Sequence, residues 1–154
     1  MFRWLLQTDD DAVSLILRLA LGLVMLPHGA QKVLGVFGGT GFQGTMAFFT
    51  GPLGIPAPLA ALAIAAETLG SLGLIFGFVT RVAALGIGSV MVVAAVMVHR
   101  PNGFFMNWMG NQKGEGFEYH ILALAIAIAV LIKGGGKWSI DRALSGPRPG
   151  EWAR

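Results

Sequence analysis

Seven ionisable side chains stand at points where this chain otherwise avoids polar atoms: Arg18, His28 and Lys32, then Glu67, then His99, Glu118 and His120. Histidine and a carboxylate removed from water can both exchange protons in a useful range. A planar quinone headgroup carries two oxygens that take up or release protons, so its pocket needs such a group near each oxygen and apolar walls against its faces. On this reading Glu67 with His28 serves one oxygen and Glu118 or His99 the other. Glu67, His28 and Glu118 are then the acid–base groups, and Arg18, Lys32, His99 and His120 bind the ligand. A metal is the competing ligand, because histidine and carboxylate also suit zinc or non-haem iron. It ranks lower because neither H-E-x-x-H nor E-x-x-H spacing occurs. A haem between two histidines ranks lower still, with only three histidines in the chain. In a bland alternative the same residues pair with one another and hold helices together.

The elements that must position these residues follow from composition. The 154 residues are 55% hydrophobic and 12% charged, with mean hydropathy +0.69. Soluble domains carry about 25% charged residues, so the chain is expected to be a membrane protein. The absence of cysteine removes disulfides, thiolate metal sites and thiol catalysis. The net charge of +3 is small and the basic residues are dispersed, so no nucleic-acid partner is expected.

Four apolar stretches are separated by Gly, Pro and polar runs. Spans of about 17–25 residues cross the hydrocarbon core, which predicts an all-α fold. It is a four-transmembrane-helix bundle forming a single membrane domain over residues 1–154. The helices are expected at about 12–34, 53–79, 81–99 and 117–133, with a tail over 134–154. The run ILALAIAIAV at 121–130 alternates like a strand, but a lone strand in lipid leaves its backbone unpaired, so a helix is expected. Gly39, Gly41 and Gly44 form G-x-G-x-x-G without a preceding strand, so the dinucleotide reading fails and a flexible outer loop is expected. At the N-terminus, MFRWLLQTDDD places three acids before the apolar run and no small-residue cleavage pattern follows Leu26, so the first helix is expected to be retained.

With four spans both termini share a side. That side would hold Arg3, Arg81, Lys133, Lys137, Arg142, Arg148 and Arg154, against Lys32, Arg100 and Lys113 on the other. Excess Lys and Arg mark the cytoplasm, so both termini are expected inside and two longer loops, about 35–51 and 100–116, outside. Phe104, Phe105 and Trp108 in the second loop suit an interfacial belt. Counting ~1.5 Å per residue from the inner ends puts Glu67, His28, Glu118, His120 and His99 at roughly 18–27 Å and Arg18 at roughly 9 Å. A charge at the centre of a span costs about 2.5–3.5 kcal/mol on insertion scales, so these groups should face the bundle.

Helical phase agrees. Arg18, Leu21, Met25, His28 and Lys32 fall on one stripe, and Ala60, Ala63, Glu67, Gly70 and Leu74 form a small-residue face that lets another helix approach Glu67. Glu118 and His120 are about 200° apart around a helix and cannot both face one site unless the helix begins after Glu118, and Glu118 is the preferred member. The loop between His99 and Glu118 would then be the lid of an outward-facing site floored by Glu67 and His28.

The segments LGLVMLPHGAQK, LGIPAPLAALAIAAETLGSLGLIFGFVTRVAAL, GEGFEYH and GGGKWSID, in this order and spacing, resemble the DoxX family of small bacterial membrane proteins over nearly the whole chain. The resemblance implies a four-helix inner-membrane protein in a family named for a subunit of a terminal quinol oxidase. Other members are linked to thiosulfate-to-quinone electron transfer and to oxidative-stress complexes. Carried over, the family's HG-x-x-K falls on His28, Gly29 and Lys32, and its membrane Glu on Glu67. Its T-R falls on Thr80 and Arg81, its fourth-helix Glu on Glu118, and its S-x-D on Ser139 and Asp141. The outer loop rich in Asn and aromatics lies outside the general pattern.

The function expected from these residues is a quinone-binding membrane subunit of an oxidoreductase or respiratory-type complex, multi-pass in the bacterial inner membrane. A partner subunit would carry the redox centre, and the chain could form oligomers. The alternatives are a noncatalytic accessory or assembly subunit and a small-solute transporter with the polar cluster as a midplane site.

Overall fold

A computed structural model describes residues 3–146. Within them the chain is helical, with no strand: α1 Arg3–Leu6, α2 Ala12–Leu34, α3 Gly41–Thr50, α4 Ala57–Phe76, α5 Thr80–Ala94, α6 Glu118–Lys133 and α7 Ile140–Ser145. A π turn, Ala95–His99, and a 3-10 turn, Arg100–Asn102, prolong α5. Three helical segments are long and apolar enough to cross a membrane: Ala12–Leu34, Ala57–Phe76 and Thr80–Asn102. With 16 residues, α6 is about 24 Å long at 1.5 Å per residue, short of the ~30 Å hydrocarbon core.

The four longest helices pack in a ring, α2 against α4, α4 against α5, α5 against α6 and α6 back against α2. Their shared core is Leu21 and Met25, Leu74, Ala84, Ile87 and Met91, and Ala123, Ala127 and Val130. Large aliphatic residues such as Leu23, Leu69, Leu85, Leu122 and Ile132 point outward, as expected of helices solvated by lipid. The phase arguments hold on α4, where Ala60, Glu67, Gly70 and Leu74 are all buried, and on the inner part of α2, where Arg18, Leu21 and Met25 are. Farther along that stripe His28 is exposed and Lys32 half-buried.

Several local expectations differ from the structure. The first long loop is not wholly irregular: Gly41 to Thr50 forms α3, with Gly41 in the left-handed region at φ 68°. The helix expected at 53–79 occupies 57–76, because Pro56 fixes its entry and Gly77, at φ 65°, ends it in a left-handed cap. The tail expected beyond 134 contains α7; residues 147–154, with Arg148 and Arg154, lie outside the described residues.

One end of the bundle carries the segments 35–56 and 100–117, here called the loop end; the other, the tail end, carries α1, α7 and the α4–α5 turn. The tail end is built on side chains that satisfy backbone. Arg18, 1% exposed, donates to the carbonyls of Leu74, Ile75, Gly135, Lys137 and Trp138. Arg81 donates to those of Trp4, Leu5, Gln7 and Ile132. Asp141 accepts from the N–H groups of Val79 and Thr80 at 2.7 and 2.8 Å, and its own N–H donates to Gly77 O. Two cations at helix C-terminal carbonyls and an anion at a helix N-terminus complement the helix dipoles.

Candidate functional site at the loop end

At the loop end, Gly29 brings α2 onto α4. A Cβ placed on Gly29 would lie 2.8 Å from Thr68 Cα, so the two backbones touch there and no larger residue fits. One turn farther along α2, this contact lets Lys32 Nζ reach Glu67 Oε2 at 2.5 Å. Glu67 is 4% exposed and Lys32 half-buried, so the carboxylate taken out of water has its countercharge in contact, the arrangement that burial of a charge requires.

From α6, Tyr119 and His120 face the same region. The Tyr119 ring lies 6.4 Å from that of His28 and 5.5 Å from that of His120, and its hydroxyl reaches Met25 Sδ at 3.5 Å. The π turn at the end of α5 fits an extra residue into the turn and so shifts the helix phase, and the His99 ring lies 4.1 Å from that of His120. His99 Nδ1 contacts Glu115 O at 2.9 Å. His120 is buried, and its Nδ1 has no hydrogen-bond partner.

These groups border a cavity of about 1370 Å³ that runs along the crevice between α4 and α5. His28, Lys32, Glu67, His99, Tyr119 and His120 line it, with Met106 and Glu115 from the loop; most of the rest of its wall is apolar. Its ionisable groups are therefore gathered at the loop end.

The structure brings five of the seven sequence-derived candidates to this cavity: His28, Lys32, Glu67, His99 and His120. Glu118 and Arg18 are elsewhere. Glu118 Oε1 accepts from Met106 N at 2.8 Å and Glu118 N donates to Phe104 O at 2.9 Å, so this residue fastens the second loop to the start of α6. The helical-phase argument that Glu118 and His120 diverge is met, with His120 as the inward member where Glu118 was expected. Arg18 is at the tail end, its donors taken by five carbonyls. The second loop contributes Met106 and Glu115 to the cavity lining, and is held by Glu115 Oε2 accepting from Asn107 N at 2.7 Å and by Asn102 Nδ2 donating to Glu115 O at 3.1 Å.

Tyr119 was missed from sequence. Its position between Glu118 and His120, at the first turn of an otherwise apolar helix, was the available signal. Among the described residues, no three of histidine, aspartate and glutamate are placed to hold a metal ion. What the arrangement can do is hold a polar, proton-exchanging ring between an ion pair and a cluster of aromatic and imidazole rings, out of bulk water.

Comparison with known proteins places these features in a family. The family model described as DoxX matches residues 13–100, which include His28, Lys32, Glu67 and His99. The chain is 29% identical over 117 residues to the Bacillus subtilis (strain 168) protein called "Putative oxidoreductase CatD", covering 76% of this chain and 77% of that one. It is 28% identical over 136 residues to "Inner membrane protein YqjF" of Escherichia coli (strain K12), covering 88% and 95% respectively. No solved structure matches.

Proposed function

The chain belongs to the DoxX family, and from that premise we propose that its loop-end cavity binds a quinone or quinol headgroup within a membrane oxidoreductase. It is a multi-pass protein of the bacterial inner membrane. The observation that carries the proposal is the Lys32–Glu67 ion pair, buried at the polar end of a cavity that is otherwise apolar. A quinone–quinol couple exchanges two electrons and two protons. Glu67 holds one ring oxygen and takes its proton, with Lys32 holding the carboxylate in place. The imidazole of His120, whose Nδ1 lacks a protein partner, serves the other oxygen, and His28 and Tyr119 pack the ring between them. The electrons pass to a redox centre on a partner subunit; the lack of cysteine in this chain removes thiolate-ligated centres. That one relative is named as an oxidoreductase supports this reading.

The same reading makes α6 a fourth span and puts both termini in the cytoplasm. At the tail end Arg81, Lys133, Lys137 and Arg142 outnumber Lys32, Arg100 and Lys113 at the loop end.

The test is binding of a headgroup analogue to protein in lipid nanodiscs. In Glu67→Gln it should weaken about tenfold or more, the equivalent of one charge-assisted hydrogen bond at roughly 1.5 kcal/mol, with helicity unchanged. Equal binding by wild type and variant would remove Glu67 from the site and the proposal with it.

A further inference from the structure

The cavity is larger than a headgroup needs. Pockets that enclose whole drug-sized ligands are about 300–1,000 Å³, and a single substituted ring would leave most of 1370 Å³ unfilled. The excess volume is a trough. Its floor is small residues where α4 and α5 meet: a Cβ on Gly86 would lie 3.1 Å from Ala66 Cβ, and one on Gly73 would lie 3.2 Å from Ala83 Cβ. Its rims are long side chains turned outward, Leu69 at 66% exposed, Phe76 at 58% and Val82 at 49%. From Glu67 to Phe76 along α4 the trough extends for about 14 Å at 1.5 Å per residue. It is continuous with the polar end at Glu67 and lined by apolar groups away from it.

We propose that this trough binds the polyisoprenoid tail of the quinone whose headgroup lies at Glu67, and that the molecule enters sideways from the bilayer between α4 and α5. The proposal rests on the reading of the headgroup site given above. A ligand with a planar polar head and a long, flexible apolar chain matches both parts of the cavity at once. A phospholipid matches less well, because the cation at the polar end, Lys32, is already engaged by Glu67 and leaves no charge for a phosphate. A second copy of this chain laid on the α4–α5 face would have to seal the mouth beside His28 and Glu67 with apolar side chains.

The experiment uses the full chain in nanodiscs and a quinone bearing a photoreactive diazirine at the end of an isoprenoid tail, with labelled residues located by mass spectrometry. Label is expected on Phe76 and Val82, at the far end of the trough from Glu67. It should disappear with excess unmodified quinone, in Glu67→Gln, and in Leu69→Trp or Val82→Trp, two outward-facing substitutions that narrow the trough without entering the core. The Trp variants should bind a tail-less headgroup analogue as wild type does, which also shows them folded. Label spread over other lipid-facing positions such as Leu122 and Ile128, or label in the trough that survives Glu67→Gln, would overturn the proposal. So would a phospholipid or a second subunit found on this face in place of the tail. The two readings fail separately. Glu67-dependent binding of the tail-less analogue with scattered tail labelling removes the trough alone, whereas tail-less binding that ignores Glu67 removes the headgroup site and the proposal resting on it.

Discussion

Lys32 and Glu67 come from helices separated by a long loop, yet meet at 2.5 Å in a largely buried contact. Removing one member of such a pair typically costs about 3–5 kcal/mol because the other is left buried and unpaired. Lys32→Met and Glu67→Gln should each lower stability, and the double variant should be less destabilised than the sum, by an interaction energy of about 0.5–3 kcal/mol. Unfolding in mixed detergent micelles measures all four corners of the cycle, and strict additivity would show that the two groups do not act together. Arg18 has a different role. Lysine keeps the charge but not the planar fork, so Arg18→Lys should cost about 3 kcal/mol or more, the loss of two charge-assisted bonds at about 1.5 each. Headgroup binding per folded molecule should be unchanged; a binding defect in well-folded Arg18→Lys would return Arg18 to the site. Residue types and depth alone did not separate these roles. Both are buried ions in an apolar helix, and what distinguishes them is the partner each one meets.

At the scale of elements, the close crossing of α2 and α4 at Gly29 sets the geometry of the site. Gly29→Val would force the backbones apart at Thr68, so the Lys32–Glu67 contact and headgroup binding should both be lost while the helical content by circular dichroism is retained. Binding that survives would mean the pair does not depend on this crossing. At the tail end, α7 caps α5 from a distance through Asp141. Asp141→Ala should cost about 0.5–2 kcal/mol, the usual range for a helix N-cap, in the same unfolding measurement, and no loss would show the cap to be redundant. The positions of the long helices were legible because their apolar runs are long and bounded by glycine and proline. The inward face of α4 was legible because a 3.6-residue period sorts small and charged residues to one side. The irregular parts were not. Nothing in G-T-G-F-Q-G-T distinguishes a loop from α3, and the π turn that ends at His99 adds a residue to a helical turn without a sequence marker.

For the whole molecule, topology is the open quantity with a direct readout. Reporter fusions at the two termini should both register cytoplasmic activity, and a fusion in the second loop, between Asn111 and Gly114, should register the opposite side; termini on opposite sides would remove α6 as a fourth span. By itself, the sequence determined that the chain is helical and membrane-embedded and that its charges must pair inside a bundle. Composition and period are local properties, and burial of an ion in lipid is costly wherever it occurs. Only the tertiary structure decided which charges pair. Arg18 and Glu67 are both ions in apolar helices, but Arg18 faces the C-terminus of α4 and the segment between α6 and α7, whose carbonyls consume all its donors, whereas Glu67 faces one lysine at the edge of an open crevice. The choice between Glu118 and His120 was settled in the same way, by where α6 begins and how the second loop folds back over it, since contacts between residues distant in sequence depend on the crossing of helices and leave no mark in the spacing of either helix alone.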